Sequence, residues 1–339
     1  MILERIGSIA AWDAPLAMTD LPIPVPGIGQ ILIRVGACGV CHTELDEIEG
    51  RMTPPRLPVV LGHQVVGRVE ALGPDVTSWT AGQRCGVGWI HSACGTCRRC
   101  LTGFENLCDG FRATGRDVDG GYAEFMLADA RFAYPVPDTF TDAQAAPLLC
   151  AGAIGYRSVR LSHLPDDGAL GLTGFGASAH LVMKMVHHRS PSVRVHVFAR
   201  SESERAFARE LGAAWAGDTT DRAPELLDAI IDTTPVWISI VEALRNLAPG
   251  GRLVINAIRK EDGDKSALLG VDYPAHLWME KEIKSVANVA RQDISEFLRL
   301  AADMRLQPET QAYPLDDAHR ALLDLKQRRI RGAKVLVVG

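Results

Sequence analysis

Two different spacings of hydrophobic and polar positions run along this chain, and the change between them falls near residue 150. Before it, apolar residues come in short β-branched runs, at 30–37 (QILIRVGA) and 65–72 (VVGRVEAL), the latter ending at the Gly73-Pro74 turn. Pro22, Pro24, Pro26, Gly27, Gly29, Pro54, Pro55 and Pro58 punctuate the same region. Short strands between such breakers predict an irregular, barrel-like β domain. Beyond it, an apolar run at 169–173 leads into Gly174-Phe175-Gly176, and then Leu181, Val182, Met185 and Val186 share one helical face. An alternating strand is expected at 193–199 and a helix at 202–211 stopped by Gly212. Further strands are expected at 229–232 and 252–257, with a helix at 237–247 between them. Alternation of strand and helix predicts a doubly wound parallel sheet. A helix at 318–326 and a strand at 333–338 close the chain.

Length and composition fit two domains of an ordinary globular protein. The chain has 339 residues, 47% of them hydrophobic and 23% charged. The formal net charge is −5, with no block of like charge, which argues against nucleic acid and anionic membrane surfaces as partners. No apolar run reaches the ~18 residues that span a bilayer. Glu4 and Arg5 interrupt the first apolar stretch, MILERIGSIAAW, so it does not read as a signal peptide and a cytoplasmic enzyme is expected. In that setting, closely spaced cysteines favour metal over disulfides.

Cysteine and histidine supply three candidate sites. Residues 38–46 read CGVCHTELD, a compact metal clip whose CxxC is weak alone, since redox sites, structural metal sites and plain cores share it. Cys94, Cys97, Cys100 and Cys108 form C-x2-C-x2-C-x7-C. Four thiolates complete a tetrahedral zinc shell with no open position, so this site reads as structural, with an iron–sulfur centre or free thiols as alternatives. Cys41, His63 and Cys150 offer the three donors of a catalytic zinc, against the plainer reading of a satisfied histidine and core thiols.

Gly174, Gly176 and Ala179 form G-x-G-x-x-A between a strand and a helix, where a pyrophosphate can meet backbone N–H groups. The next strand ends Phe198-Ala199-Arg200-Ser201 without the acid that binds an NAD ribose. Arg200 and Ser201 suit a 2′-phosphate, which favours NADP(H) over NAD(H).

Taken together, G-V-C-H-T at 39–43, G-H at 62–63, the four-cysteine lobe at 94–108, P-L-L-C-A-G at 147–152 and the turn at 174–179 make the chain resemble a zinc-containing alcohol dehydrogenase of the medium-chain dehydrogenase/reductase superfamily, over essentially its full length. That resemblance implies an α/β protein with a GroES-like β-rich catalytic domain at 1–151 and 287–339 and a Rossmann domain at 152–286. It implies Cys41, His63 and Cys150 as catalytic zinc ligands, so two Zn2+ per chain with the lobe. It implies hydride exchange between the nicotinamide cofactor and an alcohol, aldehyde or ketone, with zinc polarising the oxygen and Thr43 relaying the proton. His42 is implied to face the cofactor pyrophosphate and Trp89 the substrate pocket, though core packing explains Trp89 equally well. Cys38 matches no ligand. A homodimer or homotetramer, small-molecule substrates and no nucleic-acid or membrane partner complete the expectation.

Three positions depart from the family pattern. Gln64 stands where a glutamate usually follows the ligand histidine; Glu44 replaces an aspartate and keeps an acid able to orient His63; Asp46 replaces the terminal histidine of the proton relay. A polyol dehydrogenase or activated-alkene reductase of the same fold is the nearest alternative, and a non-enzymatic zinc module the more distant one.

Overall fold

The first long β-branched run forms an 11-residue strand, Gln30–Val40, with Ile31, Ile33 and Val35 buried and Arg34 outward. In this computed structural model the described residues are 1–11, 15–327, 329 and 332–339; Trp12, which closes the N-terminal stretch read above, lies outside them. The chain divides into two compact units, Met1–Ala153 with Val289–Gly339, and Ile154–Asn288.

In the first unit the Gln30–Val40 strand is central. It pairs antiparallel with Val65–Leu72, with Phe125–Asp129 and with the C-terminal strand Ala333–Val337. Outward from these lie Arg84–Val87 and Ala133–Pro135 on one side and Thr310–Pro314 on the other. The strand runs on to Val40 rather than stopping at 37, because Cys38 pairs with Leu336 and Val40 with Lys334. Ile31, Ile33, Leu61 and Val65 are fully buried here, each contributing about 1.5–3 kcal/mol relative to exposure. The helix Ala318–Lys326 buries Ala318, Ala321, Leu322 and Leu325, an i, i+3, i+4, i+7 face. The helix Arg291–Asp303 has no counterpart among the expected elements; Ile294, Phe297, Leu298 and Ala301 are its buried face.

In the second unit all strand pairings are parallel, in the order Trp215–Gly217, Arg194–Phe198, Ala169–Thr173, Leu227–Asp232, Leu247–Ile255, Glu282–Ser285. Counted within the unit this is 3-2-1-4-5-6, the doubly wound arrangement whose order reverses beside its first strand. Every residue of Ala169–Thr173 is buried, as a parallel strand covered on both faces requires. Glu282–Ser285 is exposed throughout and carries no alternation; pairing with Arg252–Ile255 alone makes it a strand. No helix of the described residues is long and apolar enough to cross a membrane.

Candidate functional site

Cys41, His63 and Cys150 come from three separate segments of the first unit, and their ligand atoms lie within 4.8 Å of one another. Cys41 follows the central strand directly and caps the helix His42–Ile48. Its Sγ accepts from Thr43 N at 3.3 Å, and its own N–H donates to Glu44 Oε2 at 2.9 Å. The capping box therefore fixes the thiol. His63 follows Gly62, which has φ +95°. A Cβ on Gly62 would come within 2.3 Å of the Tyr122 ring and 2.8 Å of Cys38 Sγ, so only glycine lets the loop pass here. Cys150 ends a buried 3-10 turn, Ala146–Leu149. Gly86 and Gly88 admit this turn: Cβ atoms there would meet Leu149 Cδ1 at 2.8 Å and Leu149 O at 3.1 Å.

Glu44 ties two of the donors together. Its Oε1 lies 2.6 Å from His63 Nδ1, with both side chains buried. That leaves His63 Nε2 to face the thiols, 3.6 Å from Cys41 Sγ and 3.3 Å from Cys150 Sγ. Burial works against a charged His63 imidazole, but Glu44 and Cys41 outweigh it and raise its pKa well above the usual range. The Cys41 thiol is also raised well above its ordinary value, first by its hydrogen bond with Cys150 and then by burial and the Glu44 charge. Crowded sulfurs of this kind favour protons until a divalent cation takes their place, and a coordinating thiol is then deprotonated. Two thiols and one oriented imidazole fit zinc with a fourth position left for a small ligand.

The remaining residues of the 38–46 stretch take distinct places. Thr43 is buried beside this cluster in sequence, His42 is exposed, and Cys38 is fully buried among core residues. Asp46 is buried as well, and its Oδ1 accepts from Arg51 Nε at 2.6 Å. Gln64 packs over Gly39, where an added Cβ would sit 2.7 Å from the amide oxygen. Trp89 is half-buried with its ring 5.1 Å from that of Phe111, and its indole N–H has no hydrogen-bond partner among the described residues.

The four lobe cysteines also converge within 4.8 Å. Sulfur–sulfur distances are 3.8 Å for Cys94–Cys100, 3.6 Å for Cys97–Cys100 and 3.8 Å for Cys97–Cys108. Backbone N–H groups of Thr96 and Cys97 push the exposed Cys94 thiol down to about 6. Glu105 anchors the lobe by accepting from Arg291 Nε at 2.8 Å and Arg291 N at 3.1 Å.

In the second unit Gly174 has φ +75°, and the helix Ala177–Arg189 begins just after Gly176. A Cβ on Gly176 would meet nothing within 4 Å, so the chain leaves room there for a ligand to approach the backbone. Ala179 is fully buried and lets the helix pack closely. Arg200 is exposed, while Ser201 caps the helix Glu202–Glu210 by accepting from Glu204 N at 3.4 Å. Sequence reasoning missed two neighbours at this end. Ser203 Oγ lies 2.5 Å from Ser201 Oγ, and Arg205 Nη1 donates to Ala199 O at 2.6 Å and Arg200 O at 3.1 Å. Their places in the S-E-S-E-R run read as ordinary helix surface; only the turn of the helix brings them back to the strand end.

The chain is similar to known proteins over most of its length. Residues 27–138 match the alcohol dehydrogenase GroES-like domain. A probable alcohol dehydrogenase, AdhA, of Mycobacterium tuberculosis is 41% identical over 96% of this chain and 93% of its own length. The crystal structure of an NAD-dependent alcohol dehydrogenase, 25% identical, covers 100% of this chain and 99% of its own with a TM-score of 0.87. The CAD structure from Helicobacter pylori in complex with NADP(H), at 20% identity, shares the fold with a TM-score of 0.83 over 92% of this chain and 91% of its own. By its motifs, its fold and its similarity to these proteins, the chain belongs to the zinc-containing alcohol dehydrogenase family of the medium-chain dehydrogenase/reductase superfamily.

Proposed function

We propose that this protein is a zinc-dependent alcohol dehydrogenase or carbonyl reductase that exchanges hydride between NADP(H) and an alcohol, aldehyde or ketone. The observation that carries the reading is the convergence of Cys41, His63 and Cys150, with His63 aimed by Glu44. These three residues would hold the catalytic zinc, and Cys94, Cys97, Cys100 and Cys108 a structural one. Bound at the three-donor site, zinc supplies a Lewis acid that lowers the pKa of a substrate hydroxyl or polarises a carbonyl. Glu44 keeps the imidazole in the tautomer that leaves Nε2 free to coordinate. Thr43, next along the helix, offers the hydroxyl that carries the substrate proton away. Asp46, already engaged by Arg51, stands one turn further along the same helix.

The dinucleotide lies, in this proposal, on the Gly174–Ala179 turn, with its pyrophosphate at the N-terminus of the Ala177–Arg189 helix. One structural neighbour is described as NAD-dependent and another holds NADP(H), so the preference rests on this chain's own residues. Arg200 and Ser201, with no acid at the strand end, favour the 2′-phosphate. His42, exposed at the start of its helix, is assigned to the pyrophosphate, and Trp89 to the substrate pocket. Small-molecule substrates and a cytoplasmic homodimer or homotetramer belong to the same proposal.

The test is a panel of alcohols and aldehydes assayed with both cofactors. Turnover with NADP(H) should exceed that with NAD(H), and Arg200→Asp should shift the ratio toward NAD(H). An unchanged ratio sinks the role given to Arg200; no saturable fluorescence transfer from tryptophan to NADPH sinks the enzyme reading.

A further inference from the structure

The carboxyl edge of the parallel sheet holds a buried ion pair that the proposed chemistry does not use. Asp232 ends the strand Leu227–Asp232 and is fully buried; the Lys260 side chain is 7% exposed. The Lys260 ammonium donates to Asp232 Oδ2, to Thr234 O at 2.7 Å and to Val236 O at 3.1 Å. With all three donors taken, Lys260 has none left for a phosphate. The other carboxylate oxygen, Oδ1, accepts from the Thr173 hydroxyl, from Thr234 Oγ1 at 2.8 Å and from Ser239 Oγ at 2.9 Å.

This network runs into the glycine turn. Thr173 is the residue before Gly174, and its carbonyl accepts from Thr233 N at 3.0 Å and Thr233 Oγ1 at 2.8 Å. The 233–236 segment packs so closely on the turn that a Cβ on Gly174 would sit 2.9 Å from Thr233 Oγ1 and 3.0 Å from Thr234 Cγ2. The strand order reverses between Ala169–Thr173 and Leu227–Asp232, the place where open α/β sheets bind ligands.

We propose that Lys260 is a positioning residue for the dinucleotide: it locks the 233–236 segment and the Thr173 hydroxyl through Asp232, and so holds the Gly174 turn in the shape that receives a pyrophosphate. This rests on the reading that the Gly174–Ala179 turn binds the cofactor. A buried charge left unpaired is strongly destabilising, whereas removing both members is often neutral. Lys260→Met alone therefore mixes folding with binding, and Lys260→Met combined with Asp232→Asn separates them.

The experiment titrates wild type and both variants with NADPH and with NADH by fluorescence, and records melting curves and turnover at saturating cofactor. The double variant is expected to recover most of the melting temperature lost by Lys260→Met. It should still bind both dinucleotides about ten-fold more weakly, a size usual for residues of one coupled network. The NADPH to NADH affinity ratio and saturated turnover should stay near wild type. Wild-type affinity in the double variant overturns this inference alone. A wild type that binds neither dinucleotide overturns the functional reading and this inference with it.

Discussion

The two cysteine clusters of the first unit use similar donors in opposite ways. The lobe gathers Cys94, Cys97, Cys100 and Cys108 from one short stretch, with Cys94 exposed and backbone N–H groups as its main support. The other cluster joins Cys41 to His63 across 22 residues of sequence and His63 to Cys150 across 87, with Cys41 held by its capping bonds and the loops of His63 and Cys150 admitted by glycines. A local loop with four thiols can close around a metal and draw folding energy from it. A site assembled by the core is placed before any metal arrives, and three donors leave it a free position. On the proposed reading, the difference teaches that donor count and origin together separate a staple from a reaction centre.

Breaking the proposed reaction centre should have the largest effect. Cys41→Ser is expected to lower turnover by at least about 100-fold, since even residues behind a ligand are worth 10–100-fold. Metal analysis should then fall from two zinc per chain to one, as four plus three donors predict. Two zinc retained would show that Cys41 is no ligand. Cys97→Ser should do the reverse: one zinc lost from the lobe, turnover at low temperature largely kept, and a melting temperature lower by on the order of 10 °C. An unchanged melting temperature would deny the lobe its structural role.

Glu44→Gln sharpens the comparison, because the proposed reaction centre has a carboxylate behind its histidine and the lobe is built from thiols. A loss of about 10–100-fold in zinc affinity or activity is expected at that site, with the lobe zinc untouched. The smallest effect belongs to the lobe's anchor. Burial opposes the Glu105 carboxylate, but the Arg291 hydrogen bond outweighs it and lowers its pKa. A carboxylate with a depressed folded pKa stabilises above its unfolded value and loses that contribution as pH falls through the folded one. Glu105→Gln should therefore cost about 1–2 kcal/mol at neutral pH, and the gap to wild type should close below about pH 4. A pH-independent gap in urea unfolding would contradict the ion pair.

Several elements were legible because their cause is local. The strand Val65–Leu72, the strand Ala169–Thr173 and the helix Ala318–Lys326 stand where hydrophobic spacing places them. The helix Arg291–Asp303 and the strand Glu282–Ser285 were not read. The strand is exposed over its whole length, and only its partner defines it. At the sites, the lobe's spacing announces its chemistry, whereas Lys260 in its R-K-E run looks like any solvated cation. Its burial depends on Asp232, which arrives from the strand Leu227–Asp232.

The sequence by itself determined the alternating β-then-α/β order, the four-thiol lobe and the glycine turn, since each depends on neighbours a few residues away. Only the tertiary structure decided that His63 Nε2 faces Cys41 and Cys150, that Glu44 stands behind it, and that Lys260 pairs with Asp232. Those contacts join segments that periodicity cannot relate, and close packing of glycines, thiols and buried charges is what selects them.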